Sequence, residues 1–92
     1  MKLISYQEVR KEWMKDPEFR REREKLEPEL VLIGLMIEAR TKKGMTQEEL
    51  AKKMGTKQSA ISRFESGRVR PRWDFILKLT HALDARIKIE RM

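Results

Sequence analysis

The chain has 92 residues, no cysteine, and 40% charged side chains, 22 basic against 15 acidic, for a net charge of +7. This length holds one domain, or one small domain with an arm. The lack of cysteine excludes disulfides and thiolate chemistry and fits a cytoplasmic protein. The longest apolar run, residues 30–37, is far short of the about twenty residues of a membrane span, and the start of the chain turns polar after Lys2, Leu3 and Ile4, so neither a spanning segment nor a signal peptide is expected.

The charge is unevenly spread. Residues 1–29 carry eight Lys/Arg and eight Asp/Glu, whereas residues 30–92 carry fourteen and seven, so the whole excess lies in the second part. A local excess of this size points to nucleic acid, an anionic membrane surface or an acidic partner.

In chain order, residues 1–29 form a highly charged arm with two helix starts. Ser5 followed by Glu8 has the spacing of a capping box, and Asp16-Pro17 reads as an N-cap with proline at the first helical position. Tyr6, Val9 and Trp13 would share one face of the first helix, and Phe19 and Leu26 one face of the second. Such narrow stripes cannot stabilise isolated helices in water, so the arm must dock on the rest of the chain, dock on a partner, or remain partly disordered. Tyr6, Val9, Trp13, Met14 and Phe19 are residue types favoured as interface anchors, and docking within the chain stands beside partner binding as their explanation.

Beyond Glu27-Pro28-Glu29 the pattern becomes consecutive helices over residues 30–84. The first is predicted to open at Pro28 and run to Lys43, stopping at Gly44. It bears two apolar stripes, one of Leu30, Ile33 and Ile37 and another of Leu32, Leu35, Met36 and Ala39. A surface helix normally buries one stripe, so the second predicts either another covering surface (the arm, a second copy or a partner) or a broader core. Gly34 in mid-helix costs about 1 kcal/mol relative to alanine, which is understandable where another backbone comes close. Thr46 with Glu49 opens the next helix as a capping box, and Gly55 ends it. Thr56 is predicted to cap the helix that follows, residues 57 to about 66, closed by Gly67. Residues 68–72 form a basic loop ending past Pro71, and a last helix covers about 73–83. Residues 85–90 alternate apolar and charged, as a half-buried strand does. With no partner strand in the chain, this segment, residues 85–92, is a candidate for pairing with another chain.

Two short helices joined by a tight glycine-containing turn at residues 46–67 form a helix-turn-helix pattern. Leu50, Met54, Ile61 and Phe64 supply buried faces, and Ala51 permits a close crossing. The second of these helices exposes Lys57, Gln58, Ser59, Ser62 and Arg63. None is acidic, and glutamine and arginine read adenine and guanine edges through paired hydrogen bonds.

The stretch TQEELAKKMGTKQSAISRFESGRVRP closely resembles the lambda-repressor-like helix-turn-helix family, also called the XRE or Cro type, over about residues 30–84. The resemblance implies an all-α fold, here with an N-terminal helical arm and with a short C-terminal β-strand in place of the family's fifth helix. It implies double-stranded DNA as partner. By position, Gln47 corresponds to a phosphate clamp, Gln58, Ser59, Ser62 and Arg63 to base-reading positions, and Arg68, Arg70 and Arg72 to a loop touching the DNA backbone. Arg40 and Glu65 correspond to a structural ion pair.

The arm and the chain end add a second resemblance. Asp16-Pro17-Glu18-Phe19, Leu26-Glu27-Pro28-Glu29, the helix over residues 32–40 and the terminal IKIERM are similar to HigA-type antitoxins. That likeness implies capture and neutralisation of a RelE-like mRNA endonuclease toxin, with repression of the antitoxin's own operon as a homodimer on a palindromic operator. A stand-alone repressor of the prophage or restriction-modification kind and an interaction adaptor that does not bind DNA are the alternatives. Enzymatic activity is not expected: no nucleophile-base set, glycine-rich phosphate loop or paired-carboxylate motif is present. His81, the single histidine, has no cysteine to share a metal with, so neither metal nor cofactor is expected.

Overall fold

The computed structural model of the protein describes residues 3–23 and 27–88. They form six helices: α1 Tyr6–Trp13, α2 Pro17–Arg23, α3 Glu27–Lys42, α4 Gln47–Met54, α5 Gln58–Glu65 and α6 Trp73–Ala82. The fold is all-α, with α4 and α5 forming the helix-turn-helix pair.

Local signals set most of the boundaries. Ser5 Oγ accepts from the Glu8 amide to start α1. Asp16 Oδ1 accepts from the Glu18 amide at 2.9 Å at the start of α2. Thr46 and Glu49 form the complete reciprocal box at α4, each side chain accepting from the other's backbone amide. Gly55 then takes the left-handed conformation, φ 71°, which ends α4 and turns the chain sharply into α5. The expected Thr56 cap is not used. The N-cap position of α5 is Lys57, in extended conformation, and it makes no side-chain capping bond.

One core unites the arm with the later helices. Leu30, Ile33 and Ile37 of α3 meet Leu50 and Ala51 of α4, Ile61 and Phe64 of α5, and Ile76, Leu79 and Ala82 of α6. Val9, Trp13 and Phe19 from the arm belong to the same buried cluster. Trp13 and Phe19 stack with ring centroids 5.8 Å apart.

The arm docks on a face of α3 that its apolar pattern did not announce. It lies along Gly34, Glu38 and Thr41, spaced by four and three residues on one side of the helix. Ile4 N donates to Thr41 Oγ1 and Tyr6 N to Glu38 Oε2, both at 2.9 Å. The Tyr6 ring occupies the space above Gly34, where a Cβ would stand 2.2 Å from Tyr6 Cδ1. A close approach at Gly34 is therefore real, but a side chain makes it, not a backbone. The second apolar stripe stays partly open: Leu35 is 48% exposed, and Leu32 and Ala39 are half-buried.

The predicted strand is not formed over residues 85–88, which carry no regular structure. A strand needs a neighbour to satisfy its backbone groups, and none is available among the described residues. Leu26 and Ile89 to Met92 lie outside the described residues.

Candidate nucleic-acid interface

The α4–α5 pair is built so that one helix anchors and the other presents. Helix α5 buries Ile61 and Phe64, at 0% and 4% exposure, against the core. Helical periodicity then turns Gln58, Ser59, Ser62 and Arg63 outward together, with Lys57 at the entry, and all five are exposed. The first turn of α5 has no acidic residue and no side-chain cap. In α4 the corresponding turn is closed by Thr46 and Glu49. The positive end of α5 is thus left free to meet an anion, which suits phosphate.

Gln47, the first residue of α4, is held by Glu65. Gln47 Nε2 donates to Glu65 Oε1 at 3.0 Å. Because a carboxylate only accepts, this contact fixes the amide orientation, and the second Nε2 hydrogen stays available to a ligand. Glu65 also takes two bonds from Arg40, at 2.7 Å from Nε and 2.9 Å from Nη2. Arg40 Nη1 donates to the carbonyl of Met45 at 2.7 Å. Both side chains of the pair are only 8% exposed. This fork-to-fork arrangement joins α3, the α3–α4 turn and the end of α5, and sets the angle at which Gln47 and α5 face outward.

The loop arginines are placed differently from a free basic loop. Arg68 Nη2 donates to Asp16 Oδ2 at 2.8 Å, and its guanidinium lies 5.2 Å from the Phe19 ring centroid. Arg70 grips Glu29 through Nε and Nη2 at 3.2 and 2.8 Å. Arg72 is 3.4 Å from Asp74, with both side chains widely exposed. The Asp16 carboxyl is held below its ordinary pKa, first by Arg68 and next by the Phe19 amide. Glu29 is held below its own chiefly by Arg70, which is shifted upward in turn.

Four residues that the sequence reading did not single out as functional therefore border the basic face. Asp16 and Glu29 pair with its arginines, and Glu8 and Glu12 line a cleft of about 720 Å³ that also touches Gln47 and Ser62. Arg23 donates to the backbone carbonyl of Arg68. The charge balance of the arm was a faint signal of this: eight acids within 29 residues need cations somewhere, but nothing local says which.

The candidate partner-binding residues of the arm are divided by burial. Val9, Trp13 and Phe19 are 7%, 9% and 1% exposed. They serve intramolecular docking and offer no surface to a partner in this packing. Tyr6 and Met14 are half-buried. Gly67, at φ 72°, explains how close this docking comes to α5: a Cβ there would stand 3.1 Å from Trp13 Cε2 and 3.2 Å from Phe19 Cζ. His81 is exposed, and no group of three or more His, Cys, Asp or Glu gathers for a metal among the described residues. No described helix is long and apolar enough to cross a membrane.

A family model described as helix-turn-helix matches residues 36–88. Over 51 residues the chain is 43% identical to an uncharacterized HTH-type transcriptional regulator of Archaeoglobus fulgidus, an alignment spanning 55% of this chain and 73% of that protein. No solved structure matches the chain. The family match begins inside α3, so α1 and α2 lie outside it.

Proposed function

Because the chain belongs to the helix-turn-helix family, we propose that it is a transcriptional regulator that binds double-stranded DNA sequence-specifically through α5. The observation that carries this reading is the exposed, acid-free face of Lys57, Gln58, Ser59, Ser62 and Arg63 beside an uncapped helix start. Gln47 clamps a phosphate, Gln58, Ser59, Ser62 and Arg63 read base edges in the major groove, and the 68–72 loop follows the backbone. Selection of duplexes from a random pool by the full chain, followed by binding of the selected site to the Arg63→Ala protein, tests it. The expected outcome is a loss of about 1–3 kcal/mol for the selected site with little change for unrelated duplex. Equal affinity and selectivity in the variant would sink the base-reading role.

In this proposal two copies bind a palindromic operator, their recognition helices about 34 Å apart. What supports a dimer is the pair Trp73 and Leu77, one turn apart on α6 and 62% and 50% exposed. Large apolar side chains so placed favour a covered surface. A Leu77→Glu chain that still sediments as a dimer would remove α6 from the contact.

Neutralisation of a RelE-like toxin is the finer proposal, and it rests on the likeness of the arm to HigA-type antitoxins. With Val9, Trp13 and Phe19 buried, a toxin would meet the outer face of the arm or displace the arm altogether. Co-purification of the full chain with the tagged product of the adjoining reading frame tests it, and absence of a complex would leave the regulator reading alone.

A further inference from the structure

We propose that the docked arm and the first turn of α3 together hold down DNA affinity: Asp16 and Glu29 occupy the guanidinium groups of Arg68 and Arg70, so that the loop must exchange these carboxylates for phosphates when DNA binds. The inference rests on the DNA-binding reading and adds a restraint to it.

Four observations converge on the restraint. Both carboxylate contacts reach across the fold, between residues 52 and 41 positions apart. They fall on the loop that directly follows α5, the helix proposed to enter the major groove. Glu29 takes the Nε–Nη2 edge of Arg70, the edge that would otherwise grip a phosphate in the same two-bond manner. Asp16 and the Phe19 ring hold Arg68 from two sides.

The position of the arm is also built to reach this loop. Trp13 and Phe19 pack against Gly67, the residue immediately before Arg68. Arg23 donates to the Arg68 carbonyl. Glu8 and Glu12 extend the acidic border to the cleft beside Gln47 and Ser62. Residues 1–29, which carry no net charge, thus place two carboxylates on the loop arginines and two more in the cleft beside Gln47 and Ser62.

Both bridges are substantially solvated: the Arg68 and Asp16 side chains are 49% and 45% exposed, those of Arg70 and Glu29 71% and 38%. The restraint is accordingly graded, at most about fivefold in affinity per bridge, the range for exposed ion pairs. Because salt also screens the carboxylate bridges, removing one makes the fall of log affinity with log salt slightly steeper, the phosphate contacts of the complex being the same.

The test measures binding of the full chain to a labelled mixed-sequence duplex across a salt series. Asp16→Asn and Glu29→Gln are compared with wild type and with Glu22→Gln, an exposed position with the same charge change. Asparagine at position 16 still caps α2, so the fold is kept. The expected result is tighter binding and a steeper salt slope for Asp16→Asn and Glu29→Gln, a smaller change for Glu22→Gln, and loss of the Asp16→Asn gain when Arg68→Ala is added. Unchanged or weaker binding in Asp16→Asn and Glu29→Gln overturns the restraint, because the carboxylates then only position the loop. An equal gain in Glu22→Gln, or a gain that survives Arg68→Ala, also overturns it in favour of bulk charge. If wild type shows no salt-sensitive binding to any duplex, the DNA-binding reading falls and the restraint with it. Salt-sensitive wild-type binding with unresponsive variants removes the restraint alone.

Discussion

Helix α4 carries its start and stop signals in its own sequence, whereas α1 takes part of its support from residues 32 and 37 positions away. Thr46, Glu49 and Gly55 bound α4 without help from elsewhere. Helix α1 begins with Ser5 but also with Glu38 accepting from the Tyr6 amide, while Thr41 anchors Ile4. Its buried face is two residues, Val9 and Trp13. A short helix with so little to bury is marginal alone, so the arm is ordered by docking. The bounds of α4 are thus written locally, while the arm's geometry is a property of the assembled molecule.

The largest effect is expected where the helix-turn-helix pair is tied to α3. Glu65→Ala leaves Arg40 charged, buried and without its carboxylate, at a cost of about 3–5 kcal/mol. Denaturant unfolding should show it, together with release of Gln47. A loss below about 1 kcal/mol would mean that water replaces the carboxylate without strain.

Trp13→Ala attacks the arm instead. Removing a buried aromatic costs about 3 kcal/mol or more. If the two regions differ as described, amide exchange should speed up in α1 and α2 well before α4 and α5. Uniform loss of protection would merge arm and domain into a single cooperative unit.

Gly34→Ala sharpens the same contrast with a smaller change. The new methyl group collides with the Tyr6 ring, a cost of about 1–3 kcal/mol for overpacking, offset by about 1 kcal/mol of helix propensity gained in α3. Net destabilisation is expected with faster exchange confined to α1. A more stable protein with unchanged α1 protection would show that Tyr6 moves aside freely.

The smallest expected effect is that of pH. Asp16 and Glu29 have folded pKa values depressed by their arginines. The stability they add is complete above their unfolded pKa values, about 4, and is lost as pH falls through the lower folded values. An acid titration followed by exchange in α2 and the 68–72 loop should therefore show loosening only below about pH 4. Loosening nearer neutrality would implicate another group.

The fold was legible in the sequence wherever a local rule applied. The box at Thr46 and Glu49, the glycine turn at Gly55 and the outward face of α5 all follow from spacing within one or two turns. The cap at Thr56 was misplaced by one residue, because Lys57 adopts the extended N-cap conformation without a side-chain acceptor. The strand expected at the chain end failed over residues 85–88 because alternation describes a face, and a strand also requires a neighbour.

Local chemistry alone thus determined the bounds of α4 and the outward-facing positions of α5, since caps, positive-φ glycines and 3.6-residue periodicity act over a few residues. The tertiary structure decided which α3 face the arm would cover, that Trp13 and Phe19 would be buried, and that Asp16 and Glu29 would meet Arg68 and Arg70. Those outcomes depend on contacts between distant segments, where many acids and many arginines are equivalent in sequence. The packing of Trp13 and Phe19 against Gly67, next to Arg68, accompanies the pairing of Asp16 with Arg68.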